Sequence, residues 1–370
     1  MEPERRYALD ALLDALGLPF DERAQARQAD LDEVFGLLTL VGERDAERDE
    51  HGRPVPPAEP PGPRVAELAA ALGQRLGVER RAYRDGGRFL VALTHDVDLL
   101  GGGGFGTGLR RLAGGVVRAS GERLREGSAF VLDAAARRDP VFPLREMIDS
   151  GPRSTCFFLT RQDDPRDGYP DRYRPAFTAA LDATAAAGFE IGLHASYRAR
   201  ERPGAIAQEA APLDHPQGLR HHYLRSDPDR LADELRQAGL RYDSSIGWAS
   251  QPGLRAGTPY PYRLWNPERR EPGGWELPLV LMDATLAEER YLGLDADAAF
   301  ETAVETLLPV AVHGGAVAIL WHPPSHNPRL ARGFDRLYTR LLAWIEEEGG
   351  RLGTASETLD RWETRRAAAR

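Results

Sequence analysis

Two carboxylates and an imidazole stand together in Thr94-His95-Asp96-Val97-Asp98, directly after the apolar run Phe89-Leu90-Val91-Ala92-Leu93. That run is short and β-rich and reads as a buried strand, so the ionisable groups at its end sit where desolvation is costly. Chains bear that cost most often where they bind a metal or move a proton. In α/β sheets and barrels, sites are built at the carboxyl ends of strands. Alternation along an extended chain puts Asp96 and Asp98 on one face and His95 on the other.

The pattern recurs. Phe189–Leu193 delivers His194 and Ser196, Leu240–Ser245 contains Asp243, Trp275–Met282 delivers Asp283, and Ala316–Trp321 delivers His322. A single histidine after an apolar run is commonly just packed and hydrogen-bonded. Several parallel strands that each end in Asp or His would converge on one rim, where such a set suits Zn²⁺ or a similar divalent ion.

The elements that must position these groups are strands predicted at 88–94, 154–160, 188–194, 240–245, 275–282 and 316–321. Helices are predicted at 108–126, 142–150, 174–187, 229–238, 296–311 and 332–348. Alternating strands and helices make an α/β fold, a parallel barrel or open sheet. Before it, residues 1 to 45 read as helical, 46–64 as a charged and proline-rich linker with His51 in solvent, and 65–76 as an amphipathic helix. Residues 1–85 are therefore expected to be a helical N-terminal extension with a structural or docking role, and 86–370 the domain carrying the site. Gly101–Gly106 formally matches the dinucleotide fingerprint, but a charged segment separates it from its strand, so it reads as a flexible loop over the site.

Composition narrows the function classes. The 370 residues carry a net charge of −9, which argues against a binder that neutralises nucleic-acid phosphates. All 48 basic residues are arginine, which excludes a lysine Schiff base or a P-loop lysine. Cys156, the only cysteine, lies in an apolar strand and reads as core, without disulfide or thiolate metal cluster. No apolar run is long enough to span a membrane or to form a signal core, so a cytoplasmic location is expected.

Over roughly residues 88–360 the order of motifs resembles the polysaccharide deacetylases of the NodB-homology type, the carbohydrate esterase family 4 group. Thr94–Asp98 is similar to the first motif, in the variant with one residue between the acids. The resemblance implies Asp96 as general base and Asp98 as metal ligand. Gly192–Tyr197 resembles the second motif, with His194 as a metal-binding imidazole. Gly253–Gly257 is similar to the arginine motif, which implies that Arg255 orients the base. Leu277-Pro278-Leu279 with Asp283, and Leu320-Trp321-His322-Pro323, resemble the last two motifs, with His322 as general acid and Asp283 its orienting partner. The implied fold is a distorted (β/α) barrel.

The chain departs from that pattern at Arg198, where the second histidine of the second motif belongs; a guanidinium cannot ligate a cation. Arg220-His221-His222-Tyr223-Leu224 offers two imidazoles, and His222 is expected as the replacement because a related branch carries an Arg-x-His-Tyr-Leu pattern there. A surface loop with solvated histidines is the other reading of that pair, and His95 is a third candidate. Ser196, Tyr197, Trp248 and Trp265 are expected to bind substrate. The implied activity is removal of an N-acetyl or related acyl group from a sugar or glycan precursor, nucleotide- or lipid-linked, with a divalent metal (Zn, or Co or Ni). Two rivals stand beside it: a catalytically silent glycan-binding or scaffold protein on the same fold, and a metal hydrolase of another non-peptide C–N bond such as a cyclic amide or ureide.

Overall fold

In the computed structural model, which describes residues 1–100, 105–118, 120–168 and 174–367, Phe89–Val97 folds as β1 and is buried along its whole length. Around it run β2 (Thr155–Leu159), β3 (Glu190–Ala195), β4 (Gly218–His221), β5 (Tyr242–Asp243), β6 (Tyr262–Asn266), β7 (Glu271–Glu276), β8 (Leu279–Met282), β9 (Ala316–Leu320) and β10 (Gly350–Gly353). The order across the sheet is β6-β7-β5-β4-β3-β2-β1-β9-β8, with β10 also paired to β1, and among the described residues only β6 and β7 run antiparallel. Helices return the chain between parallel neighbours, and the sheet forms an incompletely closed, distorted (β/α) barrel, the fold class expected from the sequence.

Side-chain alternation divides β1 between two cores. Leu90 and Ala92 share one with Phe157, Leu193, Leu219 and Leu320, while Phe89, Val91 and Leu93 share the other with Trp321, Phe334 and Tyr338. Carried two residues further, the same alternation sends Asp96 and Asp98 to the first side and His95 to the second. His95 accordingly packs on His326 and Tyr338, and its Nδ1 donates to the Trp321 carbonyl at 2.6 Å. Burial lowers its pKa to about 4, so it is a neutral core residue. Cys156 is buried in β2, as expected.

Two predicted elements are divided, and two observed strands were not predicted, for local reasons. The run 275–282 is two strands, because Pro278 lies between β7 and β8 and cannot donate to a ladder. The run 108–126 is two helices, α4 (Phe105–Val117) and α5 (Gly121–Ala135), with the Ser120 hydroxyl capping the second by accepting from the Arg123 N–H. β4 and β10 have only four residues each, too few to show a period. The glycine run 101–104, expected as a loop over the site, lies outside the described residues.

The N-terminal helices, α1 (Pro3–Ala15), α2 (Gln28–Leu38) and α3 (Arg64–Leu76), bury Leu9, Leu12, Val34 and Leu72 in the same core as Leu90 and Phe157. The front of the segment expected as a linker, residues 48–54, is folded into a turn, and His51, expected in solvent, is buried there. Asp49 accepts the N–H groups of His51 and Arg53, and Arg48 pairs with Pro54. His51 is correspondingly only 7% exposed, packed against Tyr197 and Tyr223. Among the described residues no helix is long and apolar enough to cross a membrane.

Candidate metal centre and its cavity

Asp98, His194 and His222 bring one carboxylate oxygen and two imidazole nitrogens within 4.8 Å of one another. His194 lies on β3, and its Nδ1 donates to the Arg220 carbonyl at 3.0 Å. His222 follows β4 into a tight turn in which Tyr223 and Leu224 take φ of 58° and 56°. Its Nδ1 donates to the buried Asp167 carboxylate at 2.8 Å. With both Nδ1 atoms engaged, each Nε2 of a neutral ring offers a lone pair toward Asp98 Oδ1, at 3.1 Å from His194 and 3.6 Å from His222. Asp98 Oδ1 and His194 Nε2 are buried and have no hydrogen-bond partner among the described residues. Three acceptors converging without a donor are what a cation satisfies, and outer hydrogen bonds that fix each imidazole tautomer are the usual support of such ligands. The donor set fits a divalent ion of the Zn type with room for further ligands.

The electrostatics agree. Burial opposes charge on His194, yet the Asp96 and Asp98 carboxylates outweigh it and raise its pKa. Burial likewise opposes ionisation of Asp98, and the imidazoles of His194, His222 and His322 hold it well below the carboxylate range. The cluster thus draws positive charge, whether a proton or a metal. Asp167 resists its own burial through bonds from His222 and the backbone N–H of Tyr197 and Asp163, and its pKa is lowered. At the next residue, a Cβ on Gly168 would fall 1.7 Å from the Asp98 carbonyl oxygen, so only glycine lets this loop lie against β1's end. Asp167→Asn is expected to weaken metal binding by about 10–100-fold while thermal melting stays cooperative. Competition with a chelating dye measures it, and unchanged affinity would show that Asp167 does not support the ligand.

Asp96 and His322 line the same cavity as the cluster, a space of about 430 Å³. Asp96 is buried, with Oδ2 3.8 Å from His194 Nε2 and Oδ1 3.6 Å from Arg220 Nη1. Arg220, fully buried on β4, also donates to Thr94 Oγ1 and Ser244 Oγ. His322 Nδ1 donates to Asp283 Oδ1 at 2.6 Å, and Asp283 Oδ2 accepts from the His322 N–H and the Ser325 hydroxyl. Burial works against charge on His322, but Asp283, with Asp98 and Asp96 beyond it, lifts its pKa to about 10.

Several expected residues stand elsewhere. Arg255 is not the partner of Asp96: its guanidinium is ion-paired with Glu43 at 2.7 Å and donates to the Gly247 carbonyl. Arg220 stands beside Asp96 in its place, because β4 faces the barrel interior whereas Arg255 lies in the loop against the N-terminal segment. Arg198 is outside the site, paired with Glu201, so the missing histidine leaves no cation among the ligands. Ser196 is turned into the structure, bonded to Glu209 through both its N–H and its hydroxyl. The Tyr197 hydroxyl meets His51 Nδ1, with Arg225 3.9 Å from its ring centroid. Trp265 packs between Tyr7 and Phe35 of the N-terminal helices. None of these three lines the cavity. Trp248 lines an adjoining space of about 290 Å³ that shares Arg53, Ala249, Arg290 and Tyr291 with it. Unforeseen in the site are Arg220, Asp167 and three arginines of the cavity wall, Arg53, Arg166 and Arg290. Arg53 comes from the N-terminal segment and donates to the carbonyl of Tyr223, next to His222.

No family model matches the chain, and no curated protein matches it. Among solved structures it is similar to a protein from Mycobacterium smegmatis described as a polysaccharide deacetylase, at 17% identity and a TM-score of 0.49, over 76% of this chain and 93% of that one. It is also similar to PuuE allantoinase, at 14% identity and 0.48, over 86% and 98%. A third is the peptidoglycan deacetylase PdaC from Bacillus subtilis, at 15% identity and 0.36, over 75% and 94%.

Proposed function

We propose that the chain is a metal-dependent hydrolase that removes an N-acetyl or related acyl group from a sugar. The observation that carries this reading is a cluster of three side chains able to ligate a metal, sharing one cavity with a buried carboxylate and a carboxylate-paired imidazole. Asp98, His194 and His222 would hold the ion. A divalent cation in such a set supplies Lewis acidity toward a carbonyl and a water molecule. Asp96 acts as the base, taking the proton of the attacking water, with the Arg220 guanidinium 3.6 Å away to orient it. His322 acts as the acid and protonates the leaving amine, and Asp283 fixes its ring and stabilises the imidazolium. The basic cavity wall of Arg53, Arg166 and Arg290 suits a substrate that carries a phosphate, such as a nucleotide- or lipid-linked sugar, with a cytoplasmic site of action as part of the proposal. Arg198 in place of the second histidine of the second motif is compatible with activity, because His222 would serve as the third ligand.

The test joins metal analysis to a substrate panel. Protein purified without chelators is expected to carry about one equivalent of Zn, Co or Ni and to release acetate from N-acetylated sugars, phosphorylated ones fastest. Failure to bind any of these metals on titration would sink the proposal. Turnover confined to cyclic amides or ureides would move the same machinery to a different C–N bond.

A further inference from the structure

The helices α4 and α5 leave the barrel immediately beyond β1 and pack on each other as a hairpin. Their contact is made through glycines. A Cβ on Gly108 would lie 2.7 Å from Val131, one on Gly115 2.9 Å from Leu124, and one on Gly127 2.7 Å from the Leu112 backbone. This fixes Gly108, Leu112 and Gly115 as the inner face of α4. The flank of α4 beside that inner face carries Leu109, Ala113, Val116 and Val117, at the i, i+4, i+7 and i+8 spacing of one helical stripe. These residues are exposed, Leu109 by 49%, Val116 by 71% and Val117 by 85%. Arg110 borders the stripe on α4 and Arg118 follows the last helical residue; both are exposed, as is Arg123 at the start of α5. Residues 105–126 contain five arginines and two glutamates, in a chain whose net charge is −9.

Water is a poor solvent for two adjacent valines at this exposure, and nothing among the described residues covers them. We propose that the α4–α5 hairpin is a docking surface for an anionic membrane. The apolar stripe of α4 lies at the boundary of headgroups and acyl chains, and the arginines beside it meet lipid phosphates. An apolar face bordered by arginine is the signature of a helix lying in the plane of a membrane surface. A second copy docked hairpin to hairpin would bring two basic patches together, so the local charge favours anionic lipid as the occupant of this face. The hairpin is firmly rooted: Arg125 donates to the carbonyls of Arg329 and Leu330, and Asp133 accepts from Asn327 and Arg329. Those partners follow the His322 loop, so the docking surface is anchored beside the cavity.

Sedimentation of the full chain with vesicles tests this without any reference to turnover. Vesicles of phosphatidylcholine with about 30% phosphatidylglycerol are expected to carry the protein down, and pure phosphatidylcholine vesicles much less. Raising salt from about 0.1 M to about 0.5 M should weaken the binding. The double variant V116D/V117D should lower the partition by about tenfold or more. Arg110→Gln with Arg118→Gln, which keeps the apolar stripe, should lower it by about fivefold per charge. Both are exposed positions, and unchanged circular dichroism verifies the fold. Equal sedimentation with neutral and anionic vesicles, or full binding by V116D/V117D, would overturn the proposal. So would a concentration-dependent dimer that V116D/V117D abolishes, which would make a second copy the occupant.

Discussion

Asp96→Asn is expected to lower kcat by about 10²–10⁴-fold while metal content and thermal stability stay close to those of the native protein. The amide keeps the volume and one acceptor but cannot take a proton from water. The neighbouring charge makes this position informative. Asp96 stands 3.6 Å from the fully buried Arg220 and 3.8 Å from His194, so it is close enough to the ligands to be mistaken for one of them. If Asp96 were a ligand, the variant would lose metal together with activity, and the assignment of base and ligand to Asp96 and Asp98 would have to be exchanged. Turnover at the native rate would remove Asp96 from the chemistry. The companion variants separate the two arginines. Arg220→Lys keeps a charge but loses the guanidinium fork, and should slow turnover along with Asp96→Asn. Arg255→Gln breaks the ties to Glu43 and the Gly247 carbonyl, both away from the cavity, and should leave kcat nearly unchanged.

The reason Arg255 was misread explains how far this sequence could be read. Strand ends were legible because burial and alternation are local properties. The run 89–93 implied a buried strand, and its period put Asp96 and Asp98 on one side and His95 on the other, as the two cores on either side of β1 require. His194, Asp283 and His322 also follow apolar runs, and they line one cavity or its ligand cluster. Contacts made across the barrel leave no such local trace. Arg220 reaches Thr94 over 126 positions of sequence, from a strand of four residues too short to register as a period. Its position next to the His221–His222 pair was the available signal. Asp167 lies in the polar loop beyond β2, where the rule that sites gather at strand ends would have pointed. Arg53 could not be found that way, because a proline-rich stretch reads as a linker until Asp49 is seen to fold it into a turn.

His322 carries the second large effect. His322→Ala should lower kcat by about 10²–10⁴-fold, most severely for substrates with poor leaving amines, because the proton it donates is what lets such an amine depart. A substrate with an activated leaving group should lose much less, and equal losses on both would argue that His322 binds rather than protonates. The pH profile tests the same role through Asp283. An acid works while protonated, so a pKa lifted to about 10 keeps His322 competent through neutral pH and puts the loss of activity on the alkaline side. The lift comes chiefly from the Asp283 carboxylate at 2.6 Å, working against burial. Asp283→Asn removes that charge, so the pKa must fall and the alkaline limb of kcat should move down by about one to three pH units. Metal binding neutralises part of the field from Asp98 and Asp96 and shifts the limb in the same direction, so native and variant proteins are compared fully loaded. A lower but pH-parallel rate would mean that Asp283 only holds the loop of Ser325 and His322 in place. A displaced limb shows that its charge sets the proton affinity of the imidazole.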